Sequence, residues 1–175
     1  MMIILITIIS VTIIWQFLVP FVKNNLNRGT ECVPYSTYFS FEEEIQGINN
    51  IERYNCNVGN KTGAAIRAAN TNAETEDKIF GFEIRFIGDN NIIQNVIVNS
   101  SSKSYCGEGG LWILGKECRT NMEIPQSGSV KTYVFNKTGE KYNYAEVYPI
   151  LKNGRVCERS DRIKLVECSP ELVIR

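Results

Sequence analysis

Six cysteines, three Asn-x-Ser/Thr triplets and one run of three glutamates are the residues of this 175-residue chain whose types and spacing could do chemistry. The cysteines stand at Cys32, Cys56, Cys106, Cys118, Cys157 and Cys168, an even set with no CxxC pair of the kind that zinc and redox sites use. They read as a disulfide framework, which places the folded domain in an oxidising compartment. Six cysteines allow about 15 pairings. Of these, Cys106 with Cys118 is favoured, because the two bracket a glycine-rich excursion that one bridge would close. The triplets at Asn60, Asn99 and Asn136 are candidate N-glycosylation acceptors and belong on an exported surface.

Other chemistry is sparse. The chain contains no histidine, which removes the usual general base, the usual partner of a nucleophile and the commonest zinc ligand. Glu42, Glu43 and Glu44 suggest a metal or acid/base cluster only until strand geometry is applied. Consecutive strand residues alternate faces, so Glu42 and Glu44 share one face, and the run reads as a solvated strand surface. Gly107-Glu108-Gly109-Gly110 lacks the strand-to-helix context that cradles phosphate and reads as a surface loop. No catalytic residue, metal site or cofactor is expected, and the chain is read as no enzyme. Lys plus Arg and Asp plus Glu balance at 19 each, so no basic field gathers nucleic acid.

The elements that position these residues fall into two parts. Residues 1–22 carry no charge, and only Thr7, Ser10, Thr12, Gln16 and Pro20 interrupt large apolar side chains. A segment of about 20 such residues is long enough to cross a bilayer as a helix. It has neither the basic start nor the small-residue cleavage site of a secretory signal peptide, since Trp15 to Phe21 are bulky. As an anchor it would put Lys23 and Arg28 in the cytoplasm, against the outward placement implied by cysteines and sequons. Removal of a short basic leader ahead of Met1 resolves that conflict. The turn-forming stretch up to Gly29 then separates a hydrophobic helix over 1–28 from a β domain over 29–175.

The second part is punctuated as short strands. β-Branched and aromatic residues concentrate at 35–45, 64–69, 79–87, 92–98, 130–136, 142–151, 155–158 and 162–168. Phe80, Phe82, Ile84 and Phe86 share one parity, with Gly81, Glu83 and Arg85 on the other, which predicts a core-facing strand. Asn153-Gly154 between two such runs predicts a hairpin with a two-residue type I′ turn. The expected fold class is α+β: a long N-terminal hydrophobic α-helix followed by an antiparallel, immunoglobulin-like β-sandwich or barrel stapled by disulfides.

The apolar opening, the short polar neck and the segments IFGFEIRFIGDNN, IPQSGSVKTYVFNKTGEKYNYAEVYPIL and KNGRVCERSDRIKLVEC together resemble archaeal type IV pilins and the related archaellins. The resemblance spans nearly the whole chain and lies in layout. It departs at Pro20, which interrupts a helix; the absence from residues 1–22 of the early glutamate of bacterial pilins fits the archaeal branch. It implies a precursor cut by a prepilin peptidase, a membrane-inserted subunit before assembly, and an assembly ATPase and platform protein as partners. It further implies a homo-oligomer, a helical polymer with helices inside and β domains outside, in which Ile3, Ile6, Ile9, Ile13, Phe17 and Phe21 pack the filament core. The implied function is a structural pilin of an extracellular, glycosylated filament for adhesion or cell contact. An archaellin of a motility filament, or a membrane-anchored β domain that does not polymerise, are the alternatives. Turns at 55–62 and 100–108 would face outward.

Overall fold

A computed structural model of the chain describes residues 14–20, 22, 30–42, 54–89, 92–137 and 139–168. The chain divides into two units, Met1–Pro34 and Tyr35–Arg175.

In the first unit the described residues include a π-helix, Ile14–Leu18, with Ile14, Trp15 and Leu18 more than half exposed. The expected long regular helix is thereby corrected. Among the described residues no helix is long and apolar enough to cross a membrane. Two local causes are present. Ile14 is β-branched and loses rotamer freedom in a helix, and Pro20 lacks the backbone donor that a regular helix would direct to the carbonyl of Gln16. Of the proposed filament-core residues, Ile3, Ile6, Ile9, Ile13 and Phe21 lie outside the described residues. Phe17 is described only as backbone within the π-helix.

The second unit is a two-sheet β-sandwich. Its strands are β1 (Phe39–Phe41), β2 (Cys56–Val58), β3 (Lys61–Ala68), β4 (Ile79–Gly88), β5 (Ile93–Asn99), β6 (Gly110–Ile113), β7 (Val130–Asn136), β8 (Tyr142–Leu151), β9 (Asp161–Lys164) and β10 (Val166–Glu167). One sheet runs β10-β2-β3-β7-β6, with β1 also on β3; the other runs β5-β4-β8-β9. All pairings are antiparallel except β10 with β2. A short α-helix, α1 (Ala73–Asp77), leads into β4 and is capped by the Asn72 side chain on the Thr75 amide at 3.0 Å.

The core lies between the sheets and is largely aromatic. Phe82 and Tyr133 meet edge to face at 5.2 Å between centroids, and Phe86 stacks on Phe135 at 5.3 Å. Phe39 joins at 4.8 Å from Phe82. Such ring pairs add roughly 0.5–1.5 kcal/mol each beyond the area they bury. A buried amide also stitches the layers: Asn57 on β2 donates to the Tyr142 carbonyl on β8 and accepts from the Thr62 hydroxyl, both at 2.8 Å.

The period-two reading of β4 holds over Phe82, Ile84 and Phe86, all fully buried, and fails at Phe80, which is 38% exposed. The register against β8 slips between Ile79 and Gly81, so a bulge rotates Phe80 out of the alternation. A second slip between Ile87 and Gly88 has the opposite effect on β8, where Tyr142 turns into the core beside Phe86 although Tyr144 and Tyr148, of the same parity, do not.

The predicted hairpin at Asn153-Gly154 exists with a different turn. Leu151 N donates to Arg155 O at 2.9 Å and Gly154 N to Leu151 O at 2.8 Å, closing three loop residues rather than two. Only Gly154 has positive φ, +82°, where type I′ would require it at Asn153 also. The expected strand at 155–158 reduces to a single bridge, Val156 with Ile150, and β9 takes the place beside β8. The glycine-rich loop runs directly into β6, whose four residues are all buried, and β2 was hidden among turn-forming residues.

Candidate interaction face

The outward surface of the β5-β4-β8-β9 sheet carries a connected group of charged and aromatic side chains. Alternation fixes it. With Phe82, Ile84 and Phe86 inward on β4, Glu83, Arg85 and Ile87 point outward, and pairing carries that parity to Ile97, Asn95 and Ile93 on β5 and to Tyr148, Glu146 and Tyr144 on β8. One row therefore reads Asn95, Arg85, Glu146, Arg162 across all four strands.

Glu146 is the centre of that row. It is 6% exposed and accepts hydrogen bonds from the Tyr148 hydroxyl and the Arg159 guanidinium, both at 2.6 Å, with Arg162 at 3.6 Å. Burial opposes its ionisation, but the bonds from Tyr148 and Arg159 and the charges of both arginines outweigh that and hold the carboxyl below its ordinary value. Tyr148 shifts upward, through burial and through its bond to the carboxylate. Glu83, also buried, accepts from Arg85 at 2.6 Å, and that bond raises the pKa of the guanidinium.

The arginines are stacked as well as paired. The Arg85 guanidinium lies 3.9 Å from the Tyr148 ring centroid and that of Arg162 4.2 Å from Tyr144. The result is a rigid mosaic of flat cations, rings and neutralised carboxylates, bordered on β5 by Ile93 and Ile97. Such a surface suits protein–protein contact: it is rich in Arg and Tyr, and its carboxylates are already paired with arginines. The sequence carried a partial signal, since Glu83 and Arg85 occupy the non-core parity of β4. The contribution of Tyr144, Glu146, Tyr148, Arg159 and Arg162 depends on β8 and β9 being neighbours, which no local pattern announces.

The residues singled out from sequence lie elsewhere. Cys106 is bonded to Cys118, with Cα atoms 5.7 Å apart, and Cys56 to Cys168 at 4.9 Å. Cys32 and Cys157 are also disulfide-bonded, and none of the six is free. Glu42 departs from the solvated strand face expected of it: it is 6% exposed and clamped by the Arg67 guanidinium, while Glu43 and Glu44 fall outside the described residues. Of the sequon asparagines, Asn60 sits exposed in the β2–β3 turn. Asn99 ends β5 and accepts from Ser101 N at 2.9 Å, and Asn136 ends β7, its amide donating to Cys106 O at 3.4 Å.

A shallow open cleft of about 440 Å³ is lined by Met122, Glu123, Ile124 and Lys131 among others. Hydrogen bonds from Lys116 and Lys131 lower the Glu123 pKa to about 2, so its carboxylate is already committed. Among the described residues no group of three His, Cys, Asp or Glu is placed to hold a metal ion.

No protein-family model matches the sequence, and no curated protein matches it. Among solved structures, the archaellum periplasmic stator protein complex FlaF and FlaG from Sulfolobus acidocaldarius is similar at a TM-score of 0.36 and 11% identity, over 73% of this chain and 87% of that one. A likeness that distant transfers neither fold nor role to this chain.

Proposed function

We propose that this chain is a non-enzymatic structural subunit of a cell-surface appendage of the archaeal pilin and archaellin class, presenting its sandwich outside the cytoplasm and working through protein contacts. The observation that carries the reading is the state of the cysteines: all six are bonded, as suits a domain folded in an oxidising compartment. The layout of the sequence supports the appendage class, with an uncharged stretch over residues 1–22 ahead of the stapled domain. That stretch supplies the attachment to an apolar environment, lipid before incorporation and other subunits after it.

The non-catalytic part of the proposal rests on how the charges are used. Glu42, Glu83 and Glu146 are buried and each is paired with arginine, which commits them to holding sheet surfaces together. The outward mosaic around Glu146 is the contact surface in this reading.

Deleting the gene in its native host and counting appendages by negative-stain electron microscopy tests the proposal. The expected result is loss or shortening of one class of surface filament, restored by a plasmid copy. Loss of swimming with that filament would select the archaellin reading, and loss of surface attachment alone the pilus. Unchanged number, length and composition of every appendage would overturn the proposal.

A further inference from the structure

Each sheet has two edges, and the sandwich treats them differently. In the β5-β4-β8-β9 sheet the β9 end is closed onto β1 through side chains: Phe39 N donates to Ser160 Oγ at 3.2 Å and Phe41 N to Asp161 Oδ2 at 2.7 Å. In the other sheet β6 is covered by its own preceding loop, with Tyr105 N bonded to Leu111 O at 2.8 Å. β10, at the far end, is only two residues long and is followed at once by the bridged Cys168.

β5 is the exception. It is seven residues long and, among the described residues, ladders to β4 alone. Edge strands are ordinarily protected by charge, proline, shortness or a bulge. Here residues 92–99 carry neither a charged residue nor a proline, and the ladder to β4 runs from Gly81–Asn99 to Ile87–Ile93 without a register shift. Ile93 and Ile97 are 55% and 53% exposed. Because Gly88 N bonds Ile92 O at 2.8 Å, the antiparallel alternation sends the amides and carbonyls of Gln94, Val96 and Val98 toward β4. Those of Ile93, Asn95 and Ile97 are directed to the open edge.

We infer that this edge is the seat of a second copy of the chain, its β5 added antiparallel to form one continuous eight-stranded sheet about a two-fold axis at Asn95. Self-complementarity selects that occupant. Centred on Asn95, the register sets Ile93 opposite Ile97 of the other copy and Ile97 opposite Ile93, so apolar meets apolar in both halves. Asn95 faces its own counterpart, and a carboxamide both donates and accepts. With no charge on the strand, the pairing places no like charges opposite one another. The next residue in the row, Arg85, is already paired with Glu83 and stacked on Tyr148. The inference goes beyond the appendage proposal and does not depend on it.

Cross-linking in the full-length protein, purified in detergent, tests it. All six native cysteines are bonded, so Asn95→Cys introduces a single free thiol. In the inferred register the two introduced residues form a hydrogen-bonded pair with Cα atoms about 5.5 Å apart, within disulfide reach. With oxidised glutathione as the oxidant, the expected result is a dithiothreitol-reversible dimer as the main band on a non-reducing gel. Val156→Cys, at the isolated bridge to Ile150 and 43% exposed, should remain monomeric under the same treatment. Adding Ile97→Lys to Asn95→Cys should lower the dimer fraction at least tenfold with an unchanged circular dichroism spectrum. Asn95→Cys cross-linking no more than Val156→Cys, or a dimer indifferent to Ile97→Lys, would overturn the inference.

Discussion

Cys56 and Cys168 are bonded across 112 residues of sequence, and the bridge fastens β2 to the residue that follows β10. Cys56 is fully buried and packs with Trp112 and Val134, so the bridge ends inside the core of its sheet rather than at the surface.

Removing this bridge as Cys56→Ala with Cys168→Ala should cost about 4–5 kcal/mol in the chain-entropy view, and removing Cys106–Cys118 the same way about 3, because the shorter loop has less entropy to lose. Urea unfolding of the two double variants in detergent measures the order. A larger loss from the Cys106–Cys118 pair would mean that local packing, not chain closure, sets the contribution.

Phe80 and Phe82 are two positions apart and share a parity, yet Phe82 is fully buried and Phe80 is not. Phe82→Ala should therefore cost about 3–5 kcal/mol and Phe80→Ala no more than about 0.5. Equal losses would place the bulge elsewhere than between Ile79 and Gly81.

That pair also marks how far the sequence could be read. The strand itself was legible because three aromatic or branched residues recur at period two and are buried on one side. The bulge was not, because it depends on pairing with β8, across more than sixty residues, and on Gly81, where an added Cβ would collide with the Val98 carbonyl. The Asn153-Gly154 turn was legible as a turn, but its type depended on the arriving strands. β6 was hidden by the glycines before it, although Leu111, Trp112 and Ile113 form an apolar run. Of the interaction face, the β4 residues were visible and the β8–β9 half was not. In the described part of the apolar opening a π-helix, Ile14–Leu18, stands where a regular helix was expected, because hydropathy reports the company a segment keeps and not its backbone geometry, which Pro20 also governs.

Gly81→Ala offers a separate test of that close approach. Forcing a methyl against the Val98 carbonyl must shift β4 or β5. A loss of about 1–3 kcal/mol is expected, with faster amide exchange confined to the β4–β5 ladder. Unchanged stability would show that the two strands have room to separate.

Acid should weaken the fold through Glu123 and Glu146. Each binds its proton less readily folded than unfolded, so each stabilises the fold above the ordinary carboxyl value and loses that contribution as pH falls through the folded value. For Glu123 the window runs from 4.5 down to about 2. Its side chain is 46% exposed, so the effect should be modest and should shrink at about 1 M salt. Urea midpoints measured across that window should fall with pH, and Glu123→Gln should flatten part of the slope. A variant with the parent's slope would remove Glu123 from the account.

Glu146→Ala should cost about 1–3 kcal/mol by stripping Tyr148 and Arg159 of their acceptor. It should also loosen the mosaic without disturbing the core rings, which near-ultraviolet circular dichroism and the Phe82 environment report. An unchanged unfolding midpoint would mean that water replaces the carboxylate at no cost.

The central claim is that the stapled sandwich is displayed outside the cytoplasm as part of a surface structure. Immunogold electron microscopy of intact, unpermeabilised cells, with antibody raised against the sandwich, tests it most directly. Gold along or at the base of surface filaments is the predicted result; gold that appears only after permeabilisation, inside the cell, would contradict it.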